Sequence, residues 1–171
     1  LKLLLVFSYF TDGFAFAGEA LTGKFVGVRW PQMVRQTVDY TFGWSMGIGV
    51  IFVFIYAVSG MSMVRLLTSD GIVVETTRAF MPWLIFFPLI SCPAFTWDGI
   101  YTGATATKTM RDSNIGCVIA FFAVWLLGMF LLSPKGTAAA HLFFAAYYAH
   151  LVYRSLYQTF CYRKAILGPI R

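Results

Sequence analysis

Ala94-Phe95-Thr96-Trp97-Asp98-Gly99-Ile100-Tyr101-Thr102-Gly103-Ala104-Thr105 closes an apolar run that begins near Phe80, and it sets a single carboxylate inside that run. From 80 to 106 the run exceeds the roughly 20 residues that a helix needs to cross the hydrocarbon core. An ionised acid at that depth costs roughly 2.5–3.5 kcal/mol even on the lenient insertion scale, so such residues face a cavity or a partner and mark ion, proton or substrate paths. Asp98 is therefore the leading functional candidate. The competing reading is a buried acid hydrogen-bonded to hold a bundle together.

The rest of the chain repeats the apolar signal. Of 171 residues, 59% are hydrophobic and 12% charged, against about 25% charged in a soluble domain. Runs at about 1–23, 41–66, 80–106, 115–132 and 137–160 are each long enough to span. No run alternates with period two, which argues against an outer-membrane barrel. The expectation is an all-α integral membrane protein with five transmembrane helices. The first residue is Leu1, already inside an apolar run, and five is an odd number of spans, so a piece of a longer protein is expected. A signal peptide fits poorly, because Asp12 and Glu19 continue the segment and no small-residue cleavage site precedes them.

A net charge of +6 raises the question of nucleic acid, but the basic residues mark topology instead. Lys24, Arg29, Arg35, Lys108, Arg111, Arg154, Arg163, Lys164 and Arg171 fall on one side of the five spans. Lys2, Arg65, Arg78 and Lys135 fall on the other. The positive-inside rule then puts the carboxyl terminus in the cytoplasm. No soluble segment is long enough to present a nucleic-acid surface, so no nucleic-acid partner is expected.

Cys92, Cys117 and Cys161 are odd in number and set among apolar residues, and they read as small buried hydrophobes. His141 and His150 lie nine apart, which is not ligand spacing on one helix face, and they read as interhelical hydrogen-bonding groups. No phosphate loop, dinucleotide fingerprint or zinc motif occurs, so no cofactor, no catalytic set and no enzyme activity is expected. Residues 24–40 form the longest polar connector, read either as an interfacial turn and short helix around Arg29-Trp30-Pro31 or as a plain linker. Thr68 to Arg78 is the expected outer loop, and Ser133-Pro134-Lys135-Gly136 a tight outer turn.

Pro82, Pro88 and Pro93 precede Asp98, and Pro88 and Pro93 predict a bent or loosened helix just before the acid. Helical spacing puts Ser91, Asp98, Thr102 and Thr105 on one polar face with Tyr101 beside it, a candidate cavity lining. Gly99 and Gly103 permit the close approach of another helix on a neighbouring face. In the first span Ser8, Asp12 and Glu19 share a face; Glu19 is also close enough to Lys24 to pair with a base at the interface. Gly43, Gly47, Gly49 and Gly60 in the second span and the alanines of the fifth read as packing surfaces. Tyr147, Tyr148, Tyr153 and Tyr157 read as interface anchors, with an aromatic binding wall as the alternative.

The segment Asp12-Gly13-Phe14-Ala15-Phe16-Ala17-Gly18-Glu19-Ala20-Leu21-Thr22-Gly23-Lys24-Phe25-Val26-Gly27 resembles the eighth helix of multidrug and toxic compound extrusion (MATE) transporters, particularly the DinF-like branch. The proline-rich run with Trp97-Asp98-Gly99, Gly103-Ala104-Thr105 and Lys108-Thr109-Met110-Arg111-Asp112-Ser113 resembles the tenth. The resemblance implies that residues 1–171 are a partial carboxyl-terminal lobe, helices eight to twelve of twelve, in a bacterial cytoplasmic membrane. It implies an antiporter exporting organic, often cationic, compounds in exchange for protons or sodium, with Asp98 matching an acid of the carboxyl-lobe cation site. On that view a sodium ion at Asp98 is the one candidate metal, and Asp12 and Glu19 are further coupling candidates. The implied partners are the bilayer, a small organic substrate, and an amino-terminal lobe and seventh helix outside this chain. Two other readings stay open: a lipid or lipid-linked oligosaccharide flippase of the same superfamily, and a structural subunit or membrane-embedded enzyme.

Overall fold

The computed structural model describes residues 2–133 and 135–170, with the backbone alone for Lys2. The places expected for Leu1 in the first span, Pro134 in the outer turn, and Arg171 and the Lys2 side chain in the charge pattern lie outside the described residues. The chain forms α1 (Lys2–Gly27), α2 (Pro31–Leu67), α3 (Gly71–Gly103), α4 (Thr107–Leu132) and α5 (Thr137–Tyr162), followed by a π-helical turn at Arg163–Leu167. Among the described residues there is no strand. Helices α1 to α4 are long and apolar enough to cross a membrane. Helix α5 matches α4 in length at 26 residues, but His141, His150, Arg154 and Gln158 make it more polar, and it is not among those four.

Three helices begin well before their apolar runs. Pro31 is the first residue of α2, where its missing N–H costs nothing, and no breaker follows until the helix has run 37 residues. At 1.5 Å per residue that is about 56 Å, well beyond the ~30 Å hydrocarbon core. Residues 31–40 are thus neither a separate interfacial helix nor a linker but the first turns of α2, with Val34 and Val38 buried. The expected outer loop shrinks to Thr68–Asp70, because the Asp70 side chain accepts from the Ile72 N–H (2.9 Å) and caps α3 at Gly71. Helix α4 starts at Thr107 instead of near 115. In each case hydropathy marks only where lipid begins, whereas a nucleated helix propagates through polar residues until a breaker or cap stops it.

Helices α1, α2 and α3 pack on one another, α5 lies against α3, and α4 packs chiefly on α5. The tightest seam is the one expected at Gly99 and Gly103. A Cβ at Gly99 would collide with the Ala15 carbonyl of α1, and one at Gly103 with the Glu19 carbonyl. Gly49 of α2 fits over Pro88 and Cys92 in the same way, a Cβ there lying 2.9 Å from the Cys92 sulfur. Two apolar clusters fill the interior. Val34, Val38, Trp97, Ile100, Tyr101, Ile166, Leu167 and Ile170 pack at one end, and Phe7, Phe52, Tyr56, Phe87, Cys92, Ala94 and Leu151 toward the other.

Gly99→Leu and Gly103→Leu, made in the full-length protein, should each destabilise it by roughly 1–3 kcal/mol or more, because the added side chain meets rigid backbone. Gly43→Ala and Gly47→Ala, whose added Cβ meets nothing within 4 Å, should not. Thermal melting in detergent checks the difference.

Candidate functional site: a shielded ion pair and an aromatic cavity

Asp98 lies five residues before the end of α3 and points across to α5. Arg154 Nη2 is 2.7 Å from Asp98 Oδ2, and Gln158 Nε2 donates to Asp98 Oδ1 at 3.2 Å. The side chains of Arg154 and Asp98 are only 18% and 23% exposed, and Gln158 is fully buried, so the contact is a shielded, charge-assisted one. Arg154 and Gln158 are one helical turn apart and therefore share a face of α5. Two flanking hydrogen bonds fix that face against α3: Trp97 Nε1 donates to Thr159 Oγ1 (2.8 Å), and the Tyr101 hydroxyl donates to the Gln158 carbonyl (2.7 Å).

The other residues of the expected polar stripe do not join Asp98. Ser91 is buried and donates to the Phe87 carbonyl of its own helix (2.8 Å). Tyr101 is fully buried in the core near the helix ends. Thr102 is exposed and donates back to the Asp98 carbonyl (2.7 Å). Thr105 is not on the helix at all, because α3 ends at Gly103 and Thr105 takes a left-handed backbone (φ 52°) in the turn before α4. Side-chain-to-backbone bonding consumes these hydroxyls locally, which spacing alone does not reveal. Helix α3 runs unbroken through Pro88 and Pro93. Each ring leaves the carbonyl four residues earlier without its helical donor.

Asp12 and Glu19 are half-buried on α1. Among the described residues neither takes part in an ion pair, so Glu19 makes no salt bridge with an interfacial base such as Lys24. His141 and His150 do bridge helices: Trp83 Nε1 donates to His141 Nδ1 (2.8 Å), and His150 Nε2 lies 3.6 Å from the Cys117 sulfur of α4. Cys92 and Cys117 are buried as expected, Cys161 is only half-buried, and all three cysteines are free.

Sequence reading missed Arg154 as a partner, having counted it with the cytoplasmic bases. The available signal was Arg154 and Gln158 at i and i+4 on an unusually polar span, eight residues before its end. Of the two readings open for Tyr147 and Tyr148, interface anchors or an aromatic wall, the structure favours the wall. They line a cavity of about 620 Å³ between the first half of α3 and that of α5, to which α1 and α2 also contribute lining residues. Trp83 stacks on Phe144 (centroids 5.9 Å apart) and Phe87 on Tyr147 (6.3 Å), while the Tyr148 hydroxyl donates to the Trp83 carbonyl. Eleven residues separate Phe87 from Asp98, so the cavity and the ion pair lie about 17 Å apart along α3.

The MatE family model matches residues 1–132, more than three quarters of the chain. The chain belongs to the MatE family. DNA damage-inducible protein F of Escherichia coli (strain K12) is 28% identical to it over 127 residues, which cover 74% of this chain and 28% of that protein. The MatE chain thus spans little more than a quarter of that relative's length. No solved structure matches it significantly. It is a multi-pass membrane protein of a transporter family. Helix α5, with Arg154 and Gln158, lies beyond the residues that the family model matches.

Asp98→Asn and Arg154→Gln should each lower thermal stability in the full-length protein, and the double variant should lose less than their sum. The expected coupling is about 0.5–3 kcal/mol, because each single change strands one largely shielded charge. A double-mutant cycle of melting curves measures it.

Proposed function

We propose that the chain supplies helices eight to twelve of a twelve-helix secondary transporter, which exports organic, often cationic, compounds in exchange for protons or sodium. The observation that carries this reading is the Asp98–Arg154 pair, a carboxylate inside the bundle whose partner stands on a different helix. Loading Asp98 with a coupling ion releases the Arg154 side chain of α5, so the ion and the side-chain contact between α3 and α5 are coupled. A ligand shifts inward and outward states only by the difference in its affinity for them, and a pair that exists in one arrangement supplies such a difference. Pro88 and Pro93, which free the carbonyls of Leu84 and Leu89, are the points at which α3 re-aims Asp98. Asp12 and Glu19 are secondary coupling candidates on α1.

The aromatic cavity supports an organic substrate. Its volume falls in the range of drug-sized sites, and its aromatic lining suits flat or cationic molecules. A bacterial cytoplasmic membrane with the carboxyl terminus inside remains the favoured setting. With Arg154 removed from the count, Lys24, Arg29, Arg35, Lys108, Arg111, Arg163 and Lys164 still outnumber Arg65, Arg78 and Lys135. The amino-terminal lobe and helix seven are proposed partners, and this chain alone is not expected to transport.

Asp98→Asn in the full-length transporter should abolish ethidium efflux driven by a pH or sodium gradient in proteoliposomes, with normal membrane insertion. Efflux at the wild-type rate would sink the coupling role. Tyr147→Ala should raise the half-saturating ethidium concentration about tenfold through loss of a ring face, with gradient dependence kept.

A further inference from the structure

The carboxylate of Asp98 already holds a cation. Arg154 Nη2 sits 2.7 Å from one of its oxygens, and Gln158 Nε2 donates to the other, so N–H donors meet both oxygens. The backbones carrying this contact are fixed on the side of the helix ends: Trp97 is bonded to Thr159, and Tyr101 to the Gln158 carbonyl. Beyond them the π-helical turn buries Ile166 and Leu167 against Trp97 and Tyr101. Helix α5 therefore cannot slide away at this level without breaking both staples and the cluster. The element free to leave the carboxylate is the Arg154 side chain, with its long flexible stem.

The bonding of the cluster is also incomplete. Arg154 Nε and Gln158 Oε1 are buried and have no hydrogen-bond partner among the described residues, although both groups flank the same carboxylate. A pair built only to hold two helices together would be expected to satisfy these atoms, since a buried donor or acceptor left unmade is costly. One unused donor and one unused acceptor beside a charged pair suit an arrangement whose partners change.

We propose that Arg154 is a tethered counter-cation that fills the Asp98 site, so that any diffusible cation must displace it to bind there. This rests on the reading of Asp98 as a cation-binding acid and deepens it by naming the built-in competitor. A metal cation on Asp98 also has to lie close to the guanidinium, and like charges at that range in a shielded site repel strongly. Arg154 thereby sets which cations the site accepts, and sodium is disfavoured while the guanidinium is in place.

The test uses purified full-length transporter and ²²Na⁺ as the probe, with wild type, Arg154→Lys, Arg154→Gln, Arg154→Met and an Asp98→Asn/Arg154→Gln double variant. Loss of the tethered charge should tighten sodium binding by at least about tenfold in Arg154→Gln or Arg154→Met, whichever remains monodisperse. Arg154→Lys keeps the charge and should stay near wild type, and the double variant should lose the gain. Wild-type sodium affinity in a folded Arg154→Gln or Arg154→Met protein overturns the proposal, as does a gain that survives the loss of Asp98. Efflux by Asp98→Asn is scored separately: if it persists, the antiport reading fails, whereas unchanged sodium binding in folded Arg154 variants defeats the counter-cation alone.

Discussion

The backbone of α3 rests directly on that of α1 at Gly99 and Gly103, and this contact sets how the rest of the bundle is arranged. With no Cβ at either position, the Ala15 and Glu19 carbonyls of α1 occupy space that any side chain would claim. Lipid offers no hydrophobic drive for two helices to meet, so close van der Waals contact between small residues supplies the association. The seam fixes the rotation of α3 as well as its distance. Once Gly99 faces α1, helical geometry turns its neighbours Trp97, Asp98 and Tyr101 toward α5, where all three find partners.

Helix α3 divides into two chemical halves. Its first half carries Trp83 and Phe87 into an aromatic cavity shared with Phe144, Tyr147 and Tyr148 of α5. Its second half carries Asp98 into the ion pair. The prolines at 88 and 93 stand between them, with Gly49 of α2 packed over the Pro88 carbonyl. Helix α5 faces both halves, which explains its polarity. Its His141 bonds Trp83, its His150 approaches Cys117 and its Arg154 meets Asp98, so the polar groups that lower its hydropathy are turned onto neighbouring helices. Burying such groups is tolerable only where partners replace water, and α5 without α3 and α4 would be a poor membrane helix.

Much of this was legible in the residues. The existence of five helices, four of them long and apolar enough to span, follows from the apolar runs, and the Gly99–Gly103 notch follows from small residues four apart. The bridging roles of His141 and His150, and the burial of Cys92 and Cys117, follow from polar or small groups in apolar surroundings. Helix ends were not legible from hydropathy, because Pro31 and the Asp70 cap act through local hydrogen bonding that hydropathy does not register. The stripe of Ser91, Thr102 and Thr105 misled for a related reason. Each of the serine and first threonine hydroxyls is bonded to its own helix backbone, and the second threonine lies past the helix end.

The sequence by itself determined that this is a helical membrane chain and that Asp98 stands where a carboxylate must be compensated. Only the tertiary structure decided what compensates it. Arg154 is 56 positions further along the chain, in a segment that by charge counting belongs with the cytoplasmic bases. The choice between a topology signal and a buried counter-ion depends on the rotation of two helices about their axes, which is set by packing at Gly99, Gly103, Trp97 and Tyr101. Periodicity assigns residues to faces of one helix, but only contact between helices assigns one face to another.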